Sequence, residues 1–105
     1  PWHNPGMPWV YIMASKPRGT LYIGVTSDLV RRAREHRGCR GSAFTRKYGV
    51  KMLVWHERID DDAQASQRER TMKEWPRDWK INVVERANPN WTDLGPSLRP
   101  PEVES

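Results

Sequence analysis

Cysteine is almost absent from this chain. Cys39 is the only one in 105 residues, which excludes an intrachain disulfide framework and any zinc site built from several cysteines. Between glycine and arginine, it reads as a loop residue. The three histidines, His3, His36 and His56, lack paired ligand spacing, so a histidine-built metal site is not expected either. No apolar run approaches the ~20 residues that span a bilayer. Pro1 to Pro8 has neither the basic nor the apolar segment of an export signal. A soluble, cytoplasmic protein with no membrane partner is expected. Internal repeats are absent too. Apolar residues make up 36% and aromatics 10% of the chain, enough for one modest core that buries ~65% of the unfolded surface, and hence for one domain. The oligomeric state is not specified by the sequence, with a monomer favoured.

Acid is scarce where base is concentrated. The net charge of +5 and pI of about 9.8 are weak indications of a polyanionic partner, but the distribution is more telling. From Arg31 to Lys51 there are eight basic residues against one acid, Glu35, and the rest of the chain carries a net −2. A concentrated basic segment suits a phosphate backbone, because each neutralised phosphate releases counterions. A solvated helix face followed by a solvated loop is the alternative explanation.

Trp9 to Ala14 is a continuous apolar run, and Lys16-Pro17-Arg18-Gly19 is a turn before a second run from Thr20 to Val25, so two antiparallel strands are predicted. Alternation puts Trp9, Tyr11 and Met13 on one face of the first strand, and Tyr22 and Gly24 on one face of the second. Thr26-Ser27-Asp28 offers N-cap chemistry for a helix from about Asp28 to Arg37 that stops at Gly38. Gly38 to Ala43 is expected to be a loop, with Phe44 to Gly49 leading into a third strand over about Val50 to Glu57. Asp60-Asp61-Asp62 suits the N-terminus of the next helix, where the macrodipole favours negative charge, and Asp61 with Gln64 has capping-box spacing. Pro76 ends that helix, and a last helix runs from about Arg77 to Ala87. Beyond Asn88 only Trp91 and Leu94 are suited to dock on the core.

Two residues carry a chemical case of their own. Arg32 lies one helical turn from His36, among Arg31, Arg34 and Arg37. A guanidinium stays charged at any working pH and can grip a phosphate through two parallel hydrogen bonds. Glu69 falls on the stripe defined by Ala65 and Met72. A carboxylate there is costly unless paired or bound to a cation; an inward salt bridge and a hard-metal site are the two explanations, since Mg²⁺ is commonly held by one or two carboxylates with water and phosphate. Strand tyrosines are ordinarily packing residues, but Tyr22 shares its face with Gly24, and a strand glycine can mark the close approach of a ligand or another backbone.

The order Val10-Tyr11-Ile12, Tyr22-Ile23-Gly24, Arg32 and Glu69 resembles the GIY-YIG nuclease superfamily. The stretches from Tyr22 to Leu29 and from Phe44 to Val50 resemble its small stand-alone bacterial members. The likeness covers residues 8–94, leaving 95–105 as a flexible C-terminal tail. It implies an α+β fold with a three-stranded antiparallel sheet flanked by helices, and a metal-dependent endonuclease that hydrolyses phosphodiester bonds of nucleic acid, DNA in the first instance, with repair or recombination as candidate settings. Mapped by motif, Tyr11 and Tyr22 are the paired tyrosines, Arg32 the helix arginine, Glu69 the ligand of Mg²⁺ or Mn²⁺, and His36 an accessory active-site group. Arg31, Arg34, Arg37, Arg40, Arg46 and Lys47 would hold the flanking backbone without reading sequence. The glycine that gives the first motif its name is replaced by Val10. The family asparagine after the metal-binding helix has no clear counterpart, Asn82 and Asn88 both being poorly spaced. A catalytically silent nucleic-acid-binding module is the alternative, and a protein-interaction domain with a tryptophan patch the third possibility.

Overall fold

A computed structural model describes residues 7–38 and 41–98; the expectations for Cys39 and Arg40 lie outside these residues. The elements run β1 (Trp9–Ala14), β2 (Leu21–Thr26), α1 (Leu29–Arg37), α2 (Ala43–Tyr48), β3 (Met52–Arg58), α3 (Asp62–Glu74), α4 (Arg77–Ala87), then a short 3-10 turn, Gly95–Ser97. The sheet is antiparallel in the order β2-β1-β3. This is the expected three-stranded sheet with helices on both faces.

β1 reads as a continuous apolar run because it is the central strand, and from Val10 to Ala14 every residue is buried. Val10, Ile12 and Ala14 face a core completed by Ile23, Val54, Ala65, Met72, Val84 and Trp91, under α3 and α4. Tyr11 and Met13 face a second core with Leu29, Ala33, Val50 and Leu53, on the side of α1. Each fully buried large aliphatic side chain contributes about 1.5–3 kcal/mol, so both faces are needed to hold a sheet this small. Between Ile12 and Met13 the pairing to β3 skips from Trp55 to Leu53. The resulting bulge turns Val54 and Trp55 toward the α3/α4 core and Leu53 toward the other.

The helix starts follow their caps. The Asp28 carboxylate accepts from the Arg31 N–H at 3.2 Å, and Asp61 from Gln64 at 2.8 Å. α2 was not expected. Ala43–Tyr48 forms a helix capped by Ser42, whose hydroxyl accepts from Thr45 N–H, and closed by Gly49 in the left-handed conformation. The cap residues were visible, but one buried residue, Thr45, leaves no apolar stripe to betray so short a helix.

The packed chain extends past the expected boundary at Leu94. Leu94 N–H donates to Leu53 O at 2.7 Å, Asp93 accepts from Leu53 N–H, and Leu98 packs on the second core. Of the stretch read as a flexible tail, residues 95–98 therefore belong to the fold, and 99–105 lie outside the described residues. Trp91 docks as expected, 4% exposed, with its indole N–H on Glu85. The tryptophan patch is not formed among the described residues: Trp91 is buried, Trp9, Trp55 and Trp75 are half-buried, and Trp79 alone is largely exposed. No described helix is long and apolar enough to cross a membrane.

Candidate active site

Strand register brings the two tyrosines together. Tyr11 pairs with Gly24 and Met13 with Tyr22, so both phenols stand on the α1 face, with ring centroids 6.3 Å apart. Gly24 is explained by this register. A Cβ there would lie 2.6 Å from Tyr11 Oη, 2.7 Å from Tyr11 Cζ and 3.0 Å from Tyr22 Cε2. The close approach expected at this glycine comes from the Tyr11 ring rather than from a ligand or another backbone.

α1 supplies the cationic side. Leu29, Ala33 and His36, at i, i+4 and i+7, are its buried residues, while Arg32, one turn before His36, is half-buried. Arg32 Nη1 approaches Tyr11 Oη at 3.5 Å, and its Nε pairs with Glu35 at 3.1 Å. Glu35 also holds Arg31, at 3.2 Å. Its part in fixing Arg32 was not anticipated, although the i, i+3 spacing was the available signal.

His36 is 2% exposed, and neither ring nitrogen has a hydrogen-bond partner among the described residues. Its ring lies 6.1 Å from that of Tyr11 and 5.6 Å from that of Tyr22. On its other side Gly41 passes so closely that a Cβ there would sit 2.5 Å from Nδ1. An orphaned buried imidazole is costly, about 1–3 kcal/mol per unmade bond, and in a native fold it calls for an explanation.

Glu69 is half-buried, its side chain 22% exposed, and pairs with Lys73 at 3.1 Å. Of the two explanations for an inward carboxylate, a salt bridge is therefore present, but with an exposed lysine of the same helix rather than an arginine of the core. Glu69 also lies near enough to the tyrosines for its charge to disfavour ionisation of Tyr11. Tyr11, Tyr22, Arg32 and His36 are thus brought into one neighbourhood from three elements, and Glu69 on α3 acts on it through its charge.

The titration preferences divide these groups. Burial pushes the Tyr11 phenol up to about 12, although Arg32 pulls the other way. Burial first, then the Arg32 charge, push His36 below 6.5, with Glu35 opposing. For Arg32, burial works against the charge, but Tyr11, Glu35 and Tyr22 outweigh it and leave its pKa raised. At neutral pH the site holds a protonated phenol, a neutral imidazole and a fixed cation.

Among the described residues no three His, Cys, Asp or Glu side chains converge as a ready-made metal cage. The donor set at Glu69 is a single accessible carboxylate whose partner is a displaceable lysine. That set fits a hard, largely hydrated ion of the Mg²⁺ type, which takes one or two carboxylates and completes its shell with water and phosphate. Neither asparagine takes part in the pocket. Asn82 is exposed, and the buried Asn88 amide is occupied in donating to Val54 O and Thr92 O and accepting from Thr92 N–H.

Around the site Arg31, Arg34, Arg37, Arg46 and Lys47 are exposed. Arg31 and Arg37 are paired with Glu35 and Asp93, at 3.2 and 3.9 Å. A cavity of about 210 Å³ beside Arg32 is lined by Thr26, Ser27, Asp28, Arg31, Arg32 and Glu35.

Comparison with known proteins gives the family. The family model described as the GIY-YIG catalytic domain matches residues 7–82. The chain is 36% identical over 87 residues to UPF0213 protein DP2720 of Desulfotalea psychrophila, covering 82% of this chain and 79% of that protein. It is 28% identical over 89 residues to a UPF0213 protein of Aeromonas salmonicida, covering 85% of this chain and 65% of that relative's length. The solution structure of UPF0213 protein BH0048 from Bacillus halodurans superposes with a TM-score of 0.52 at 26% identity, over 84% of this chain and 93% of that one. With sheet and family model in agreement, the chain belongs to the GIY-YIG family, whose domain is the catalytic unit of the nuclease superfamily of that name.

Proposed function

We propose that this protein is a divalent-metal-dependent endonuclease that hydrolyses phosphodiester bonds of nucleic acid, with DNA as the first substrate to test and repair or recombination as candidate settings. The observation that carries it is the meeting of a fixed cation, Arg32, with Tyr11 at 3.5 Å; Glu69, a half-buried carboxylate paired with Lys73, is the candidate metal ligand. Glu69 would hold Mg²⁺ or Mn²⁺. Such an ion, when bound, supplies charge stabilisation at the phosphate and leaving oxygens. Arg32, held by Glu35 through Nε, presents its remaining donors to the non-bridging oxygens, where negative charge grows in the transition state.

Titration divides the remaining roles. Tyr11 is fully buried, with a pKa near 12, so it orients the nucleophile and Arg32 and does not act as a base. Tyr22 is half-buried and hydrogen-bonds the phosphate or the attacking water. His36 is as deeply buried as Tyr11, but its lowered pKa keeps the imidazole neutral at pH 7, so of the two it is the group whose titration lets it take a proton there once a water reaches it. A histidine base gives a rate that falls below a pKa under 6.5, whereas a Tyr11 base gives one that climbs toward pH 12.

The test is incubation of supercoiled plasmid and single-stranded oligonucleotide with Mg²⁺ or Mn²⁺, beside Glu69→Ala and Arg32→Ala. Cleavage by the native protein alone is expected. Equal nicking by all three preparations would identify a contaminant. Binding without cleavage in every metal would instead make this a catalytically silent nucleic-acid-binding module.

A further inference from the structure

The chain's single phenylalanine lies on the surface. Phe44 is 43% exposed and Tyr48 47%; with Trp79 they are the large exposed hydrophobic side chains among the described residues. Trp79 packs edge-on against Trp75 and stands apart from the site. Phe44 and Tyr48 do not. They are four residues apart on α2 and so share one face, with centroids 4.8 Å apart. Phe44 in turn lies 6.1 Å from Tyr22 at an interplanar angle of 32°, and Tyr22 lies 6.3 Å from Tyr11. Four rings therefore run from the buried site residue out to solvent. Thr45, about a quarter-turn round α2 from these rings, is 2% exposed and anchors the helix.

The charge beside this row has one sign. Arg46 and Lys47, between the two aromatics in sequence, are exposed, and Lys47 Nζ stands 5.3 Å from the Tyr48 ring centroid. Half-exposed aromatic rings beside a cation that is unpaired among the described residues match a strand that offers flat π faces and phosphates together. Duplex bases are stacked on one another and offer no such face; an unpaired base does.

We propose that Phe44 and Tyr48 form a stacking platform for an unpaired nucleobase flanking the phosphate bound at Arg32, so that the protein prefers nucleic acid with unpaired nucleotides. This deepens the nuclease assignment and rests on it only for calling the strand a substrate. Phe44 supplies the inner face, continuous with Tyr22, and Tyr48 the outer one. Lys47, beside the Tyr48 ring, holds the backbone at the same step, and Arg46, on the far side of α2, adds to the positive field.

The test is binding in EDTA, which separates it from turnover. Fluorescence anisotropy compares oligothymidylate, an abasic strand of equal length and charge, and a hairpin duplex. The native protein is expected to bind oligothymidylate about tenfold more tightly than the abasic strand, and Phe44→Ala with Tyr48→Ala to remove most of that preference. Duplex affinity should change less than about twofold, the phosphate contacts being retained. Tyr48→Phe keeps the ring and should keep the preference. Equal affinity of the native protein for oligothymidylate and abasic strand refutes the platform, as does an equal loss on single strand and duplex in the double variant. A protein that shows the base preference yet cuts nothing retains the platform and refutes the nuclease assignment. One that cuts without the preference does the reverse.

Discussion

Replacing Gly24 by alanine probes the junction between the sheet and the site with one methyl group. That methyl would stand 2.6 Å from Tyr11 Oη and 2.7 Å from Cζ, well inside ordinary contact distance. Tyr11 lies on the central strand, 0% exposed, so its ring must tilt against Arg32 and the core around it. Overpacking of this kind costs about 2 kcal/mol and should lower Tm by roughly 10 °C, leaving a domain of ordinary stability folded. The tilt also shifts the phenol against Arg32, now 3.5 Å away, and a displacement of ~1 Å at such a site can cost about a hundredfold in rate. Urea unfolding supplies the stability and a cleavage assay the rate. The control is Tyr11→Leu, which removes Oη and Cζ, the two nearest atoms. In that background only the 3.0 Å contact to Tyr22 Cε2 remains, so Gly24→Ala should cost about 1 kcal/mol less than in the native protein, a coupling that appears only if the two side chains compete for one space. Equal costs in both backgrounds would refute the packing explanation of Gly24.

Three further outcomes are expected. His36→Leu removes two nitrogens that have no partner among the described residues from a buried site, so stability should hold or rise while cleavage falls. Because burial depresses His36 below 6.5 in the folded state, its part of the stability is complete above that pH and is lost on acidification toward the depressed value. The stability difference between native protein and variant, followed by urea unfolding across pH, should show this loss. Glu85 accepts from Arg18 through both oxygens, at 2.8 and 2.9 Å, and from Trp91 at 2.7 Å; its Arg18 and Trp91 bonds hold its pKa down to about 2, against an ordinary 4.5. Its contribution is present above pH 4.5 and is lost as pH falls toward 2, so Glu85→Gln should lower Tm at neutral pH and flatten the decline of Tm with acid. Arg46→Ala and Lys47→Ala should each weaken duplex and single-strand binding and reduce the slope of log affinity against log salt by about 1, as titrations at several salt concentrations would show.

Much of the fold was legible because its long elements carry strong local chemistry. β1 is apolar throughout because both its faces are covered. α1 and α3 begin on aspartates that do cap them, and α4 follows the proline that ends α3. α2 escaped because Phe44 and Tyr48, its large residues, face water, so the helix has no buried stripe to read. Arg32 and Glu69 could be argued from charge and periodicity, whereas the pairing of the tyrosines needed the register that sets Tyr11 against Gly24. The burial of His36 was hidden by the arginines around it, although Leu29, Ala33 and His36 share a core-facing spacing. Glu35 looked like the lone acid of a basic segment and proved to be the group that holds Arg32.

The central claim is that Glu69 holds the ion which, with Arg32, makes this fold a nuclease. Single-turnover cleavage of an end-labelled oligonucleotide across a Mg²⁺ titration, native protein beside Glu69→Gln, tests it most directly. The native rate should saturate with Mg²⁺ and vanish in EDTA. Glu69→Gln removes the charge but little volume, and should cut about a thousandfold more slowly, the several kcal/mol expected of a lost metal contribution, with unchanged Tm. A Glu69→Gln protein that cuts at the native rate with the native Mg²⁺ dependence would contradict the claim.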